Sequence, residues 1–240
     1  EVLRREMRQF EGAWFSQAAI DRSKIRLQRL GYFKTVDITT PRVAGSDDQV
    51  DVLVKVEEQS SGAFQFGLGY SQLQGLLTSI SVTQRNFLGT GNSVGITLQN
   101  NSVLRRFDFS YIDPYFTDDG VSLGYTLSYR ELDQGEANIA NYTSDIASGS
   151  VIMGIPLTET DTLSLVMSLS RNQIGTFPGI TPPEIIDYIN ELGKRTFSTW
   201  GLQAGWSRDS RNKYFPPTRG AYQRVGAEVA LPGSTPEAYK

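Results

Sequence analysis

DGVSLGYTLSYRE, residues 119–131, sets Val121, Leu123, Tyr125, Leu127 and Tyr129 on one alternation and Ser122, Gly124, Thr126, Ser128 and Arg130 on the other. Successive side chains of a strand point to opposite faces, so a stretch this strictly two-sided lies between an apolar medium and a polar one. A protein core or a lipid bilayer would serve as the apolar side, and the rest of the chain chooses between them.

The same alternation recurs from Gly62 onward. Phe64, Phe66, Leu68 and Tyr70 oppose Gln65, Gly67 and Gly69; Thr78, Ile80 and Val82 oppose Ser79 and Ser81; Val94, Ile96 and Leu98 oppose Gly95 and Thr97. Phe107, Phe109 and Tyr111 follow, then a less regular segment from Tyr142 to Ile155, then Leu163 to Leu169, Trp200 to Trp206 and Val225 to Val229. This gives about nine strands whose lengths approach the roughly 9–11 residues of a tilted membrane strand. A soluble β-sandwich also alternates, with strands of about 5–6 residues. Three features favour lipid. The polar faces carry mainly Ser, Thr, Gly and Gln, with few charges such as Arg106, Asp108 and Glu228, where a solvated sheet face would be rich in Lys and Glu. Aromatics gather near predicted strand ends, at Tyr70, Phe87, Tyr115, Phe116, Tyr129, Trp206, Tyr214, Phe215 and Tyr222, as interface girdles do. Short connectors (NFLGTGN, PYFTDDG, IPLTET) alternate with long ones, which predicts short turns on one rim and long loops on the other. In the longest, Pro182 and Pro183 open a short helix through Leu192, closed by Gly193.

Composition excludes several chemistries. The 240 residues contain neither Cys nor His and carry a net charge of −3. Disulfides, zinc-thiolate sites, Cys nucleophiles and Ser-His-Asp arrangements are therefore ruled out, and a nucleic-acid partner is disfavoured. No apolar run reaches 18 residues, which removes a transmembrane helix and leaves a barrel open. GLGY and GTGNSVG lack the strand-to-helix context of a dinucleotide loop. Asp118 with Asp119, and Asp47 with Asp48, sit in Gly-containing turn sequences, where local hydrogen bonding explains them better than acid-base catalysis.

The first sixty residues have a different texture. EVLRREMRQF reads as a helix already under way, and the chain as a piece of something longer. Ser16 predicts an N-cap, Ile20, Leu27 and Leu30 share a helical face, and Gly31 predicts the C-terminal stop of a helix of roughly four turns. Two strands follow, at Val36–Thr39 and Val50–Glu57, joined through PRVAGSDDQ. This is a small α+β unit.

LRREMRQFEGAW, RLQRLGYFKTVD and GSDDQVDVLVKVEE, followed by GAFQFGLGYS, RNFLGTGNSVGI, DPYFTDDGVSLG and NKYFPPTRG, resemble the BamA family, the central subunits of the bacterial outer-membrane β-barrel assembly machinery. The resemblance covers essentially the whole chain. It implies that residues 1–59 are most of the last polypeptide-transport-associated (POTRA) domain, lacking its first strand, and that residues 60–240 are the N-terminal portion of a transmembrane antiparallel β-barrel. It further implies a protein of the outer membrane, with its N-terminal domain in the periplasm, that inserts unfolded outer-membrane clients into the bilayer. Its partners would be those clients, accessory lipoproteins and outer-membrane lipids, with no cofactor, metal or catalytic residue. On the same resemblance the first barrel strand, Ala63, Phe64, Gln65, Phe66, Gly67, Leu68, Gly69 and Tyr70, is the lateral gate that pairs with client strands. Gly67 and Gly69 would weaken that seam; relief of crowding is the alternative. Glu11, in the QFEG turn, is the candidate contact to an accessory lipoprotein, with a solvated turn glutamate as the alternative. A POTRA-bearing secretion pore, a passive porin and, more distantly, a soluble β-rich module are the rival readings.

Overall fold

The computed structural model describes residues 2–46, 48–137, 140–211 and 218–234, which divide into two compact units. Residues 1–62 and 84–92 form the first, and 63–83 with 93–240 the second.

In the first unit, α2 (Gln17–Leu30) packs on β1 (Phe33–Thr39), which forms a hairpin with β2 (Leu53–Glu58), and α1 (Val2–Glu6) packs on α2. Ser16 accepts the Ala19 N–H as the N-cap, and Gly31 stops α2 at φ 70°, a left-handed conformation that costs glycine nothing. Ile20, Leu27 and Val36 are buried, together with Val2 and Tyr32. Buried Glu6 accepts from Arg26 at 2.9 Å, and the Ser23 hydroxyl accepts the Arg8 N–H at 2.8 Å, tying α2 to the segment around α1. The second strand starts later than its valine alternation predicts. Val50 makes only an isolated bridge to Arg42, because Pro41, with no N–H, offers the ladder a carbonyl alone, taken by the Asp51 N–H at 2.9 Å.

The second structural motif is one antiparallel sheet. Its strands are β3 (Gly62–Ser71), β4 (Gly75–Phe87), β5 (Asn92–Asn100), β6 (Leu104–Asp113), β7 (Ser122–Asp133), β8 (Tyr142–Pro156), β9 (Asp161–Thr176), β10 (Thr196–Asp209) and β11 (Tyr222–Ala230). They neighbour one another in chain order, β3 at one end and β11 at the other, as a meander. The register lines up side chains in rows. On one face Ile96, Phe109, Leu127, Gly149, Leu169 and Trp200 stand abreast; on the other Gly95, Ser110, Thr126, Ser150, Ser168 and Gly201 do. The two-residue period thus segregates a mainly apolar surface from one dominated by small and polar groups.

The connectors correct the simple rim asymmetry. Residues 72–74 and 101–103 are tight turns on the same rim as the long loops, and buried Asn101 accepts the N–H groups of Val103 and Leu104. The longest loop does carry a helix, α3 (Pro183–Leu192), closed by Gly193 at φ 62°. Its Ile189 is buried and its Tyr188 ring lies 5.8 Å from Phe197, while Thr181 donates to the Asn141 carbonyl at 2.7 Å, pinning one loop to the next. Tyr214 and Phe215 lie outside the described residues, as does Asp47.

Candidate functional site

Strand β3 has β4 on one side and, among the described residues, no strand on the other. Its apolar face is bare: Phe64, Phe66, Leu68 and Tyr70 are each at least 60 % exposed. Ala63 and Gln65 are exposed too, so residues 63–70 present an exposed apolar face on the first strand of the sheet. The two glycines differ. A β-carbon at Gly67 would collide with the Ser79 hydroxyl on β4, whereas one at Gly69 would meet Leu77 at 3.7 Å, an ordinary contact. Crowding across β3 and β4 therefore accounts for Gly67; it does not account for Gly69.

Glu11 stands in the turn after α1, as its sequence context indicates. Its carboxylate accepts from Arg4 at 2.6 and 3.3 Å, and this hydrogen bond raises the Arg4 guanidinium pKa further above its ordinary value. Both side chains are largely exposed, so water screens the pair and leaves it little stabilising weight. Phe10 and Trp14 flank the turn, 69 % and 97 % exposed.

The periodicity did not reveal where the apolar face stops. Arg105, Glu131, Asp145 and Arg171 close it towards one rim, and Asp113, Asp161 and Arg208 towards the other. Tyr129 and Trp206 stand one alternate position inside these charges, on the border. Asp161 and Arg171 bound ten residue steps of β9, about 33 Å at about 3.3 Å per residue. At a barrel strand's tilt of about 40° this spans about 25 Å, the height of the apolar band of outer-membrane barrels. The opposite face carries hydroxyls and a charge pair: Thr126 and Ser150 hydroxyls lie 2.5 Å apart, and Arg106 pairs with Asp108 at 2.5 Å. Asp118 and Asp119 occupy the turn closed by the Gly120 N–H on the Thr117 carbonyl. Among the described residues no group of three or more acidic or metal-ligating side chains converges. What the surface can do is pair backbone and bury apolar side chains.

An open meander with a bilayer-high apolar face and a small polar opposite face is the wall of an outer-membrane β-barrel, here following a small α+β domain. The chain belongs to the Omp85 superfamily, whose domain model matches residues 86–240; the surface antigen variable number repeat (POTRA) model matches residues 1–59. Outer membrane protein assembly factor BamA of Neisseria meningitidis serogroup B is 34 % identical over all of this chain, which covers 31 % of that protein. The crystal structure of BamA from Haemophilus ducreyi lacking POTRA domains 1–3 superposes with a TM-score of 0.72 at 32 % identity, covering 97 % of this chain and 46 % of that one. CdiB from Acinetobacter baumannii, at 12 % identity and a TM-score of 0.53 over 94 % of this chain, shares the fold. The chain spans about a third of the length of the curated relative from Neisseria.

Proposed function

We propose that this chain is the edge-bearing part of an outer-membrane insertase, and that residues 63–70 of β3 accept the terminal strand of an unfolded outer-membrane client. The observation that carries this reading is β3 itself, the first strand of a membrane-type sheet, ten residues long with an exposed apolar face. Unsatisfied backbone groups in hydrocarbon cost several kcal/mol each, so an edge of β3 bared by opening of the wall would be a strong template for an incoming strand. Pairing supplies the driving force and the lipid band supplies the destination, so the work requires no catalytic residue and no cofactor. The barrel portion, residues 60–240, resides in the outer membrane, and the POTRA portion, residues 1–59, faces the periplasm. There Glu11, beside exposed Phe10 and Trp14, is the proposed contact for an accessory lipoprotein.

These 240 residues contain no cysteine, and any elsewhere in the full-length protein are replaced by serine before the test. Single cysteines at each position from Ala63 to Tyr70 in the full-length protein are expected to form disulfides with cysteines in the last strand of a stalled client, strongest in one register. Equal yields at the mid-sheet position Thr126 would overturn the proposal. Ion conductance without client cross-links would instead indicate a passive pore.

A further inference from the structure

The β4–β5 turn, residues 88–91 with the strand ends on either side, belongs to the N-terminal unit, which includes residues 84–92. Its backbone is tightly specified. Asn86 and Leu88 take left-handed φ values of 56° and 53°, rare for residues with side chains, and Gly91 has φ 85°. The Asn86 side chain accepts the Gly91 N–H at 2.8 Å, and the Thr90 hydroxyl donates to the Phe87 carbonyl at 2.7 Å. Backbone held in sparsely populated regions persists where its surroundings over-determine it.

Those surroundings include α1 and Tyr32, two residues past the end of α2. The buried Tyr32 hydroxyl donates to the Gly91 carbonyl at 3.1 Å, and Arg5 donates to the Thr90 carbonyl at 3.3 Å. The Arg5 guanidinium lies where a side chain at position 91 would project, with Val2 3.5 Å from that point. The same unit holds the root of β3: Ser61 donates through its hydroxyl to the Arg85 carbonyl at 2.5 Å, its own carbonyl accepts the Arg85 N–H at 3.1 Å, and Gln84 donates to its hydroxyl at 3.1 Å.

We infer that Val2, Arg5 and Tyr32 form a socket for the 86–92 turn, and that through β4 and Ser61 this socket sets the register at which the β3 edge meets an incoming strand. Tyr32 and Arg5 are positioning residues, since neither lies on the edge itself. The inference rests on the reading of β3 as the accepting edge, and its test separates the two.

The test uses full-length protein in lipid bilayers and compares wild type with Tyr32→Phe, which removes the hydroxyl and keeps the ring, and with Arg5→Leu, which removes the guanidinium that donates to the Thr90 carbonyl. Hydrogen exchange of the 86–92 segment is expected to quicken about five- to ten-fold in Tyr32→Phe, the effect of one lost hydrogen bond, with the β8–β9 hairpin unchanged. Cross-links from residues 63–70 to a stalled client should spread from one register over several. Unchanged exchange at 86–92 in both variants would overturn the socket. Faster exchange with an unaltered cross-link register would overturn its hold on β3. Absence of β3 cross-links in wild type would sink the accepting-edge reading, while the exchange data still decide the socket.

Discussion

The Ser79 hydroxyl fills the space into which a β-carbon at Gly67 would project. The same device recurs along the polar face, where a β-carbon would approach the hydroxyl of Ser110 at 2.6 Å from Gly95, of Ser168 at 2.7 Å from Gly201 and of Ser164 at 2.8 Å from Gly205. Each glycine makes room for a neighbouring hydroxyl. Gly67→Ala is accordingly expected to destabilise the folded protein by about 1–3 kcal/mol through overpacking, and Ser79→Gly in the same chain to recover most of that loss. Urea unfolding of the four-member cycle in detergent or lipid measures it; additive single effects would refute the interlock.

Leu127 and Ser128 are consecutive and face opposite media. Leu127 is 55 % exposed on the apolar band, whereas Ser128 stands across from Asp108 on the polar face. Leu127→Lys should cost about 2–4 kcal/mol of folding stability in a bilayer. Ser128→Lys should cost far less, because its ammonium stays on the polar face and out of the hydrocarbon. Equal costs in equilibrium unfolding would reverse the assigned orientation.

Exposure of the Arg4–Glu11 pair separates binding from folding at this position. Glu11→Lys removes the pair and sets two cations side by side, yet thermal unfolding of the N-terminal unit should move little, since exposed pairs contribute about 0–1 kcal/mol. Affinity for the proposed accessory lipoprotein, read by calorimetry or surface binding, should fall at least ten-fold. Undiminished affinity would remove Glu11 from the interface.

Burial holds the Tyr32 phenol pKa above its usual value, with Arg5 pulling partly the other way. The unfolded chain therefore loses this proton first as pH rises past about 10. The stabilisation is complete below that pH and is lost as pH climbs through the folded value. Wild type should lose urea resistance above about pH 10 more steeply than Tyr32→Phe, which has no phenol to ionise. Parallel curves for the two proteins would refute this.

Much of this was legible in the sequence, because period-two patterning survives wherever a sheet separates two media. Phe64 to Tyr70 and Leu163 to Leu169 each show which face they present without any knowledge of their neighbours. Ser16 and Gly31 mark α2 by local hydrogen bonding and backbone freedom alone. Pairwise facts were not legible. That Ser79 sits across from Gly67, that Arg4 reaches Glu11, and that Tyr32 donates to Gly91 depend on register and packing between segments far apart in the chain. The bounding charges were visible as residues, but only strand pairing lines up Arg105 with Glu131 and Asp161 with Arg208. The tight turn at 101–103 carries little sequence signal, because a single Asn closes it.

The spacing of Asp161 and Arg171 on β9 makes the sheet a ruler for its solvent. A bilayer whose hydrocarbon is about 25 Å thick meets apolar side chains over its whole depth and leaves both charges among headgroups. One several ångströms thicker must either dehydrate a charge or thin around the wall, at fractions of a kcal/mol per ångström. Spontaneous refolding into a series of phosphatidylcholine vesicles of increasing chain length should therefore be most complete at the short end. Asp161→Leu together with Arg208→Leu should shift that optimum towards thicker membranes.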